Sequence, residues 1–441
     1  MTSFLAGPLL TDLYEITMAA GYWMHQVQER ATFSVFVRNP DHKRNYFVAA
    51  GLEAIIRELE CYCFQNDDLE YLQSLKIFDP AFLDALGELR FTGDVYALPE
   101  GTLFFPDEPL IEITAPIIEA QLIETLVLNT MGIASLIATK AARCNHAAEG
   151  RPLVDFALRR THGQDAGDQV ARSTYITGFT ATSNVRAGKR FGIPVAGTMA
   201  HSFVTAFDSE LNAFRAYAAT FPDAAIFLID TYDTISGAHH AATVAREMQR
   251  RGHTALGVRL DSGDMLALSR DVRRILDEAG LPDMKIYASS SFDEFKIADI
   301  VNDGAPIDAF GVGTRVGVSA DAPYLDIVYK LVRLGNRDIR KLSPGKVTLA
   351  GKKQLFRRLH EGGMFQEDVI GCREETLSGM LPLLTPVMRA GRRTHSARNL
   401  REIRRQFEDQ TACLPERYKT IHRYEAYPVK ISPRLKSMQL S

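Results

Sequence analysis

The stretch TALGVRLDSGDMLALSRDVRRILDEAG, Thr254 to Gly280, decides the architecture. It opens on a short apolar run, turns through DSGD, and continues with Met265, Leu268, Val272, Ile275 and Leu276 spaced to share one helix face. Gly280 stands where a helix C-terminal cap belongs. A strand leading through a polar turn into an amphipathic helix is one βα unit. The rhythm recurs from residue 151 onward in LVDFALRR, GIPVAGT, AAIFLIDTYD, MKIYASSS and DAFGVGTR, each an apolar run ending in polar or glycine residues. Repeated βα units imply a parallel sheet, because each helix carries the chain back to the start of the next strand. About six such units, with a further candidate strand near Ile327 to Val332, favour a (β/α) barrel over an open doubly wound sheet. No dinucleotide GxGxxG follows the first strand, which weakens the open sheet further.

Outside this block the pattern is mixed. LLTDLYEITMAAGYW places Leu13, Ile16, Ala20 and Trp23 at helical spacing, with Thr11 or Asp12 available as cap. Thr32 to Val37 alternates as a strand does, Tyr46 to Ala49, Asp94 to Leu98 and Leu110 to Thr114 are further strand candidates, and Gly51 to Glu60 reads as helix. YKLVRLGNRDIRKL and KKQLFRRL are strand-like and basic, and Ser396 to Asp409 is helical and charged. The expected division is an N-terminal α/β domain with a connecting helix over 1–150, a catalytic barrel over 151–330, and a C-terminal segment, 331–441, packing back on the N-terminal domain.

A chain of 441 residues has ample material for two or three domains. A net charge of -3 supplies no global attraction to nucleic acid or anionic lipid, so neither is an expected partner. The five cysteines form no CxxC pair and read as reduced structural thiols. The start MTSFLAGPLLTDLYE lacks a basic n-region, so no secretory signal is read there. The most apolar window, Ile117 to Ala138, contains Glu119, Gln121 and Glu124 and reads as a buried helix. The expected location is the cytoplasm.

In parallel barrels the working residues lie at the C-terminal ends of the strands, where the βα loops converge. Those ends carry Arg159, Arg160 and His162; Thr198 and His201; Asp230 and Asp233; Arg259, Asp261 and Asp264; Ser289 to Ser291; and Gly311, Gly313 and Thr314. Cations for anionic groups, carboxylates for hydroxyls or hydrated Mg²⁺, and glycine turns whose N–H groups cradle phosphate together point to a phosphorylated sugar. Each piece also has an ordinary reading. Asp261 or Ser262 could simply cap a helix, GVGT could be a tight turn, IDTYD a satisfied turn, and two adjacent arginines on a strand face opposite ways. An isolated histidine after a strand is more often structural than chemical.

Taken together, TDLYEITMAAGYW, LRRTHGQDAG, GTMAHSFV, VRLDSGD and FGVGTRVG, in this order and at these separations, resemble the nicotinate phosphoribosyltransferase family. The resemblance runs from about residue 9 to about residue 360. Lys341, Ser343, Lys346, Gly351 and Lys353 continue it, with Ala350 replacing the proline usual before that glycine; nothing is matched beyond about 375. It implies a type II phosphoribosyltransferase, with an irregular α/β barrel, an α/β domain built from both chain ends, and a homodimer with shared active sites. The implied reaction converts nicotinate and 5-phosphoribosyl 1-diphosphate to nicotinate mononucleotide and diphosphate, coupled to ATP hydrolysis with Mg²⁺ on the phosphates, in NAD salvage.

Matched position by position, the resemblance implies that His201 is transiently phosphorylated from ATP and that Asp261 lies near the ribose hydroxyls. Thr198 and Arg259 would contact nicotinate, with Tyr14 on the pyridine ring and Phe156 as the opposing ring. Arg159 would lie near the diphosphate, and Gly311, Gly313 and Thr314 near the 5-phosphate. No metal ligand is assigned, and no GxxxxGK[ST] loop is present, so ATP is expected to use the same mouth. A nicotinamide-using relative is the nearest rival; it tends to carry aspartate where this chain has Met199, which disfavours it. A non-catalytic phosphosugar-binding barrel would be expected to lose His201, Arg259 or Asp261, and an aldolase would want a strand-end lysine.

Overall fold

The computed structural model describes residues 7–38, 44–340 and 348–440; Lys341, Ser343 and Lys346 lie outside them. The chain forms two compact units, one from Met1–Ala138 with Tyr324–Ser441 and one from Thr139–Pro323.

The first unit is built on a seven-stranded sheet in which Arg30–Val37 is an inner strand, antiparallel to Pro109–Pro116 on one side and to Ile327–Leu334 on the other. The strand Ile327–Leu334 therefore belongs here and not to the barrel, correcting the expectation for 327–332; its partner across the ladder is the alternating run near residue 32. Both faces of the strand beyond Arg30 are covered, so Thr32 and Ser34 are buried too, and Thr32 Oγ1 meets Thr114 Oγ1 at 2.9 Å. The helix Leu13–Met24 starts as expected, but neither candidate caps it. Asp12 accepts instead from the Thr125 hydroxyl at 2.9 Å, and Thr11 donates to Glu15 at 2.8 Å. The apolar window forms Ile117–Gln121 and the start of Glu124–Ala147, whose length and composition would suit a membrane span. Ile117, Leu122, Ile123, Val127 and Met131 lie instead in the core of this unit.

A smaller four-stranded sheet in the same unit buries an arginine. Arg357 donates through Nε to Asp368 Oδ1 at 2.9 Å and through Nη2 to Asp368 Oδ2 at 2.6 Å, beneath the Phe365 ring at 4.1 Å. Glu108, fully buried, accepts the Phe105 N–H through Oε2 at 2.8 Å, while its Oε1 has no hydrogen-bond partner among the described residues. Burial, then the neighbouring Asp368 charge, push the Glu108 carboxyl well up. At Ala350 the departure from the family's proline has a visible use. Its N–H donates to Gln439 Oε1 at 2.8 Å, which proline could not do.

The second unit holds six parallel strands in the order Ala181–Thr182, Leu153–Asp155, Ala309–Val312, Lys285–Ser289, Gly257–Leu260, Ile226–Leu228. Sequence neighbours are sheet neighbours except at the step from Ala181–Thr182 to Ile226–Leu228, and the last strand of the series pairs with the first, which is the order of a barrel. GIPVAGT contributes only a bridge, Thr182 to Val195, because Pro194 has no N–H to give to a ladder. Among the described residues no pairing joins Val195 to Ile226–Leu228, and Val195 stays 56% exposed at that seam. The barrel is irregular for this reason.

Three of its loops end in capping aspartates. Asp233, Asp264 and Asp293 accept from the backbone N–H groups of Ser236, of Leu266 and Ala267, and of Lys296. With Asp264 as the cap, Asp261 is released from that duty. LRR is not a strand end either: Leu158–Arg160 form a 3₁₀ turn with all three residues exposed, so the opposite-faces argument does not apply.

Candidate active site

At the C-terminal ends of the parallel strands lies a cleft of about 450 Å³ whose lining includes Phe156, Arg159, Thr198, His201, Arg259 and Asp261. All six were singled out from sequence, and they come from three separate βα units. Arg259, near the end of Gly257–Leu260, is the hub. Its Nε donates to Ser289 Oγ at 2.8 Å, Nη1 to Thr198 Oγ1 at 2.7 Å and to Met199 O at 3.4 Å, and Nη2 to Asp261 Oδ1 at 2.9 Å. The guanidinium carbon stands 5.6 Å from the Phe156 ring centroid.

Asp261 Oδ1 also accepts from the Ser289 hydroxyl, while Oδ2 lies 3.8 Å from His201 Nε2. Burial would raise the Asp261 carboxyl, but hydrogen bonds from Ser289 and Arg259, with the Arg259 charge, outweigh it and hold the group below the usual carboxylate range. His201 opens the short helix His201–Thr205 and meets Thr231 Oγ1 at 3.2 Å through Nδ1. Asp230 braces the neighbouring loop, its Oδ2 accepting from the Asp261 N–H at 3.1 Å and the Ser262 hydroxyl at 2.5 Å. Arg159 makes no side-chain hydrogen bond or ion pair among the described residues, leaving a cation free at the rim.

Gly311, Gly313 and Thr314 are placed differently. A Cβ on Gly311 would lie 2.5 Å from Phe156 Cδ2 and Cε2, and one on Gly313 would lie 3.2 Å from Phe156 O, so both glycines back the Phe156 segment. Thr314 opens the four-residue helix Thr314–Gly317. Gly311→Ala must therefore displace the ring that faces Arg259. The expected result is a KM for the substrate bound there raised about tenfold with the melting temperature lowered by a few degrees, read by steady-state kinetics and calorimetry. An unchanged KM would show that the ring's position is immaterial. Tyr14 sits on Leu13–Met24 in the other unit, 46% exposed, its hydroxyl pushed up by burial and by Glu124.

Family models match three parts of the chain: the nicotinate phosphoribosyltransferase N-terminal domain over residues 9–132, the family core over 152–334 and the C-terminal domain over 374–439. The chain belongs to the nicotinate phosphoribosyltransferase family. The nicotinate phosphoribosyltransferase pncB2 of Mycobacterium tuberculosis strain H37Rv is 47% identical, the match covering 97% of this chain and 92% of the relative. The Bacillus subtilis nicotinate phosphoribosyltransferase is 40% identical over 96% of this chain and 92% of its own. The crystal structure of human nicotinic acid phosphoribosyltransferase superposes with a TM-score of 0.88 at 30% identity, covering 97% of this chain and 99% of that one.

Membership of the nicotinate phosphoribosyltransferase family corrects one expectation. The resemblance was expected to fade near residue 375, yet 374–439 is the family's C-terminal domain. The motifs read at strand ends have no counterpart there, because this segment carries sheet and packing residues.

Two contacts of the site were read at strand ends without a role. Ser289 and Thr231 touch Arg259 and His201 respectively, but serine and threonine at strand ends are too common for a role to be assigned from sequence. Position at the C-terminal end of a barrel strand was the available signal.

Proposed function

We propose that this protein transfers the phosphoribosyl group of 5-phosphoribosyl 1-diphosphate to the ring nitrogen of nicotinate, releasing diphosphate, with ATP hydrolysed to ADP and phosphate. The product is nicotinate mononucleotide, and the reaction feeds NAD salvage. The observation that carries this reading is the Arg259 guanidinium held between Thr198 and Asp261 opposite Phe156, in a cleft that also holds His201. A planar cation beside a ring and a hydroxyl suits a flat aromatic carboxylate. Met199, next to Thr198 and buried, offers no side-chain acceptor to a carboxamide, which favours the acid over nicotinamide.

The pyridine nitrogen already carries a lone pair, so alignment and charge stabilisation are the protein's work. The C1–O bond to diphosphate breaks ahead of full N–C bond formation, building oxocarbenium character near Asp261, while Arg159 neutralises the departing diphosphate. Mg²⁺ would travel with the phosphate substrates, whose oxygens supply most of its ligands, as it ordinarily takes only one or two carboxylates from a protein. When bound, it screens the phosphate charge. His201 serves as the phosphoryl acceptor. The Asp261 carboxylate facing Nε2 favours the proton there, which leaves the Nδ1 lone pair to attack the terminal phosphorus of ATP as ADP departs. Water later hydrolyses the N–P bond. Gly313 and Thr314 are the proposed 5-phosphate contacts, and Gly311 supports them from behind Phe156.

The functional form is a homodimer with Tyr14 on the pyridine of its partner's site. The exposed Leu13, Tyr14 and Met18 on one helix support a covered face. Five free cysteines and substrates of central metabolism support a cytoplasmic location.

The test is incubation with Mg²⁺ and ATP at neutral to alkaline pH, followed by mass spectrometry for an acid-labile phosphate on His201, alongside steady-state rates with both pyridines. Absence of that phosphate while turnover consumes ATP would remove His201 from the coupling. Preference for nicotinamide would overturn the substrate.

A further inference from the structure

We infer that Ser289 is a positioning and specificity-determining residue that holds Arg259 and Asp261 as one unit, a role that rests on the nicotinate reading of the cleft. Ser289 ends the strand Lys285–Ser289, next to Gly257–Leu260 in the sheet, and is 4% exposed. Its hydroxyl oxygen accepts from Arg259 Nε at 2.8 Å, and its proton goes to Asp261 Oδ1. The alternative acceptor, Leu260 O, is 3.4 Å away. Asp261 Oδ1 also accepts Arg259 Nη2, so serine, carboxylate and guanidinium close a ring of three hydrogen bonds.

That ring fixes two things at once. It sets the guanidinium plane, because Nε is tied on one side while Nη1 is tied to Thr198 and Met199 on the other. It also sets the Asp261 rotamer, so that Oδ2 remains turned to His201. Four of the five guanidinium N–H groups are committed to the protein, counting both Nη1 contacts. A bound carboxylate is then met by the remaining Nη2 proton, together with whatever Thr198 releases. Recognition of acid over amide thus depends on where the plane is held, and Ser289 holds it.

Loss of the hydroxyl leaves Arg259 Nε unpaired on a side chain only 14% exposed, which turns the guanidinium toward other acceptors. In Ser289→Ala the KM for nicotinate should rise about tenfold, with a smaller change in kcat, and the nicotinate-to-nicotinamide ratio of kcat/KM should fall by a similar factor. The acid limb of kcat/KM should move to higher pH, because Ser289 is one of the groups holding Asp261 down. Ser289→Thr or Ser289→Cys, keeping a donor, should recover at least part of each change.

The experiment is steady-state kinetics across pH on the full chain and these variants, with nicotinate Kd by calorimetry and melting temperatures. Unchanged KM, ratio and acid limb in Ser289→Ala overturn the proposal, as does a fall in kcat and melting temperature alone, which marks a packing role. A parent that binds nicotinate without turning it over sinks the proposed activity but leaves Kd to decide this inference. A parent that neither binds nor converts nicotinate overturns both.

Discussion

Arg259→Lys is expected to lower kcat/KM for nicotinate by about two to three orders of magnitude while the protein stays folded. At 1.36 kcal/mol per decade this is a loss of about 3–4 kcal/mol of transition-state stabilisation. Lysine keeps the charge and loses the fork. Its single ammonium cannot reach Ser289, Thr198 and Asp261 together, three acceptors that Arg259 meets at 2.8, 2.7 and 2.9 Å. Thr198 and the Asp261 carboxylate then relax independently, and discrimination against nicotinamide falls with them. Most of the loss should appear in KM, because the reacting centre is elsewhere on the ligand. Steady-state kinetics with a melting control decides the matter, and a change under about threefold would show that Arg259 does not read the substrate.

The second large effect is on stability. The double variant Asp368→Asn/Glu108→Gln should lose about 3–5 kcal/mol, because it strands the buried Arg357 charge with no anion. Asp368→Asn alone should cost only about 1–3 kcal/mol, since Glu108 can ionise and take over beside Arg357. Glu108→Gln alone should cost less than Asp368→Asn, because burial favours the uncharged carboxyl that glutamine mimics and Asp368 still faces Arg357. The pH sign follows from the raised carboxyl. A folded-state value above the unfolded one contributes stability fully below the ordinary glutamate range and loses it as pH rises through the raised value. Melting temperature should therefore decline in the parent as pH rises above the ordinary glutamate range, and less steeply in Glu108→Gln. Denaturant titrations of the four proteins test the non-additivity; strictly additive losses would disprove the shared role.

Much of this was readable because the barrel writes itself locally. Each strand run was short and apolar, three of the helices began at an aspartate, and the residues at the junctions were the chemical ones. Asp261 is instructive: a capping role was equally open until Asp264 proved to be the cap. Two features resisted. The strand Ile327–Leu334 looks like another barrel strand because the antiparallel partner that claims it, Arg30–Val37, lies at the other end of the chain. Long-range pairing leaves no mark in a local window. Ser289 resisted for the opposite reason, since a hydroxyl gains meaning only from the two groups it joins.

The seven-stranded sheet also governs how the molecule must be made. Its inner strand Arg30–Val37 gains one neighbour, Pro109–Pro116, early in translation, and the other, Ile327–Leu334, only after all of Thr139–Pro323 has left the ribosome. For a period on the order of tens of seconds, the nascent polypeptide presents an unpaired β edge lined by Phe33, Val35 and Val37. A premature stop just short of Ile327 would release a finished barrel attached to a half-closed sheet, a product destined for aggregation or proteolysis.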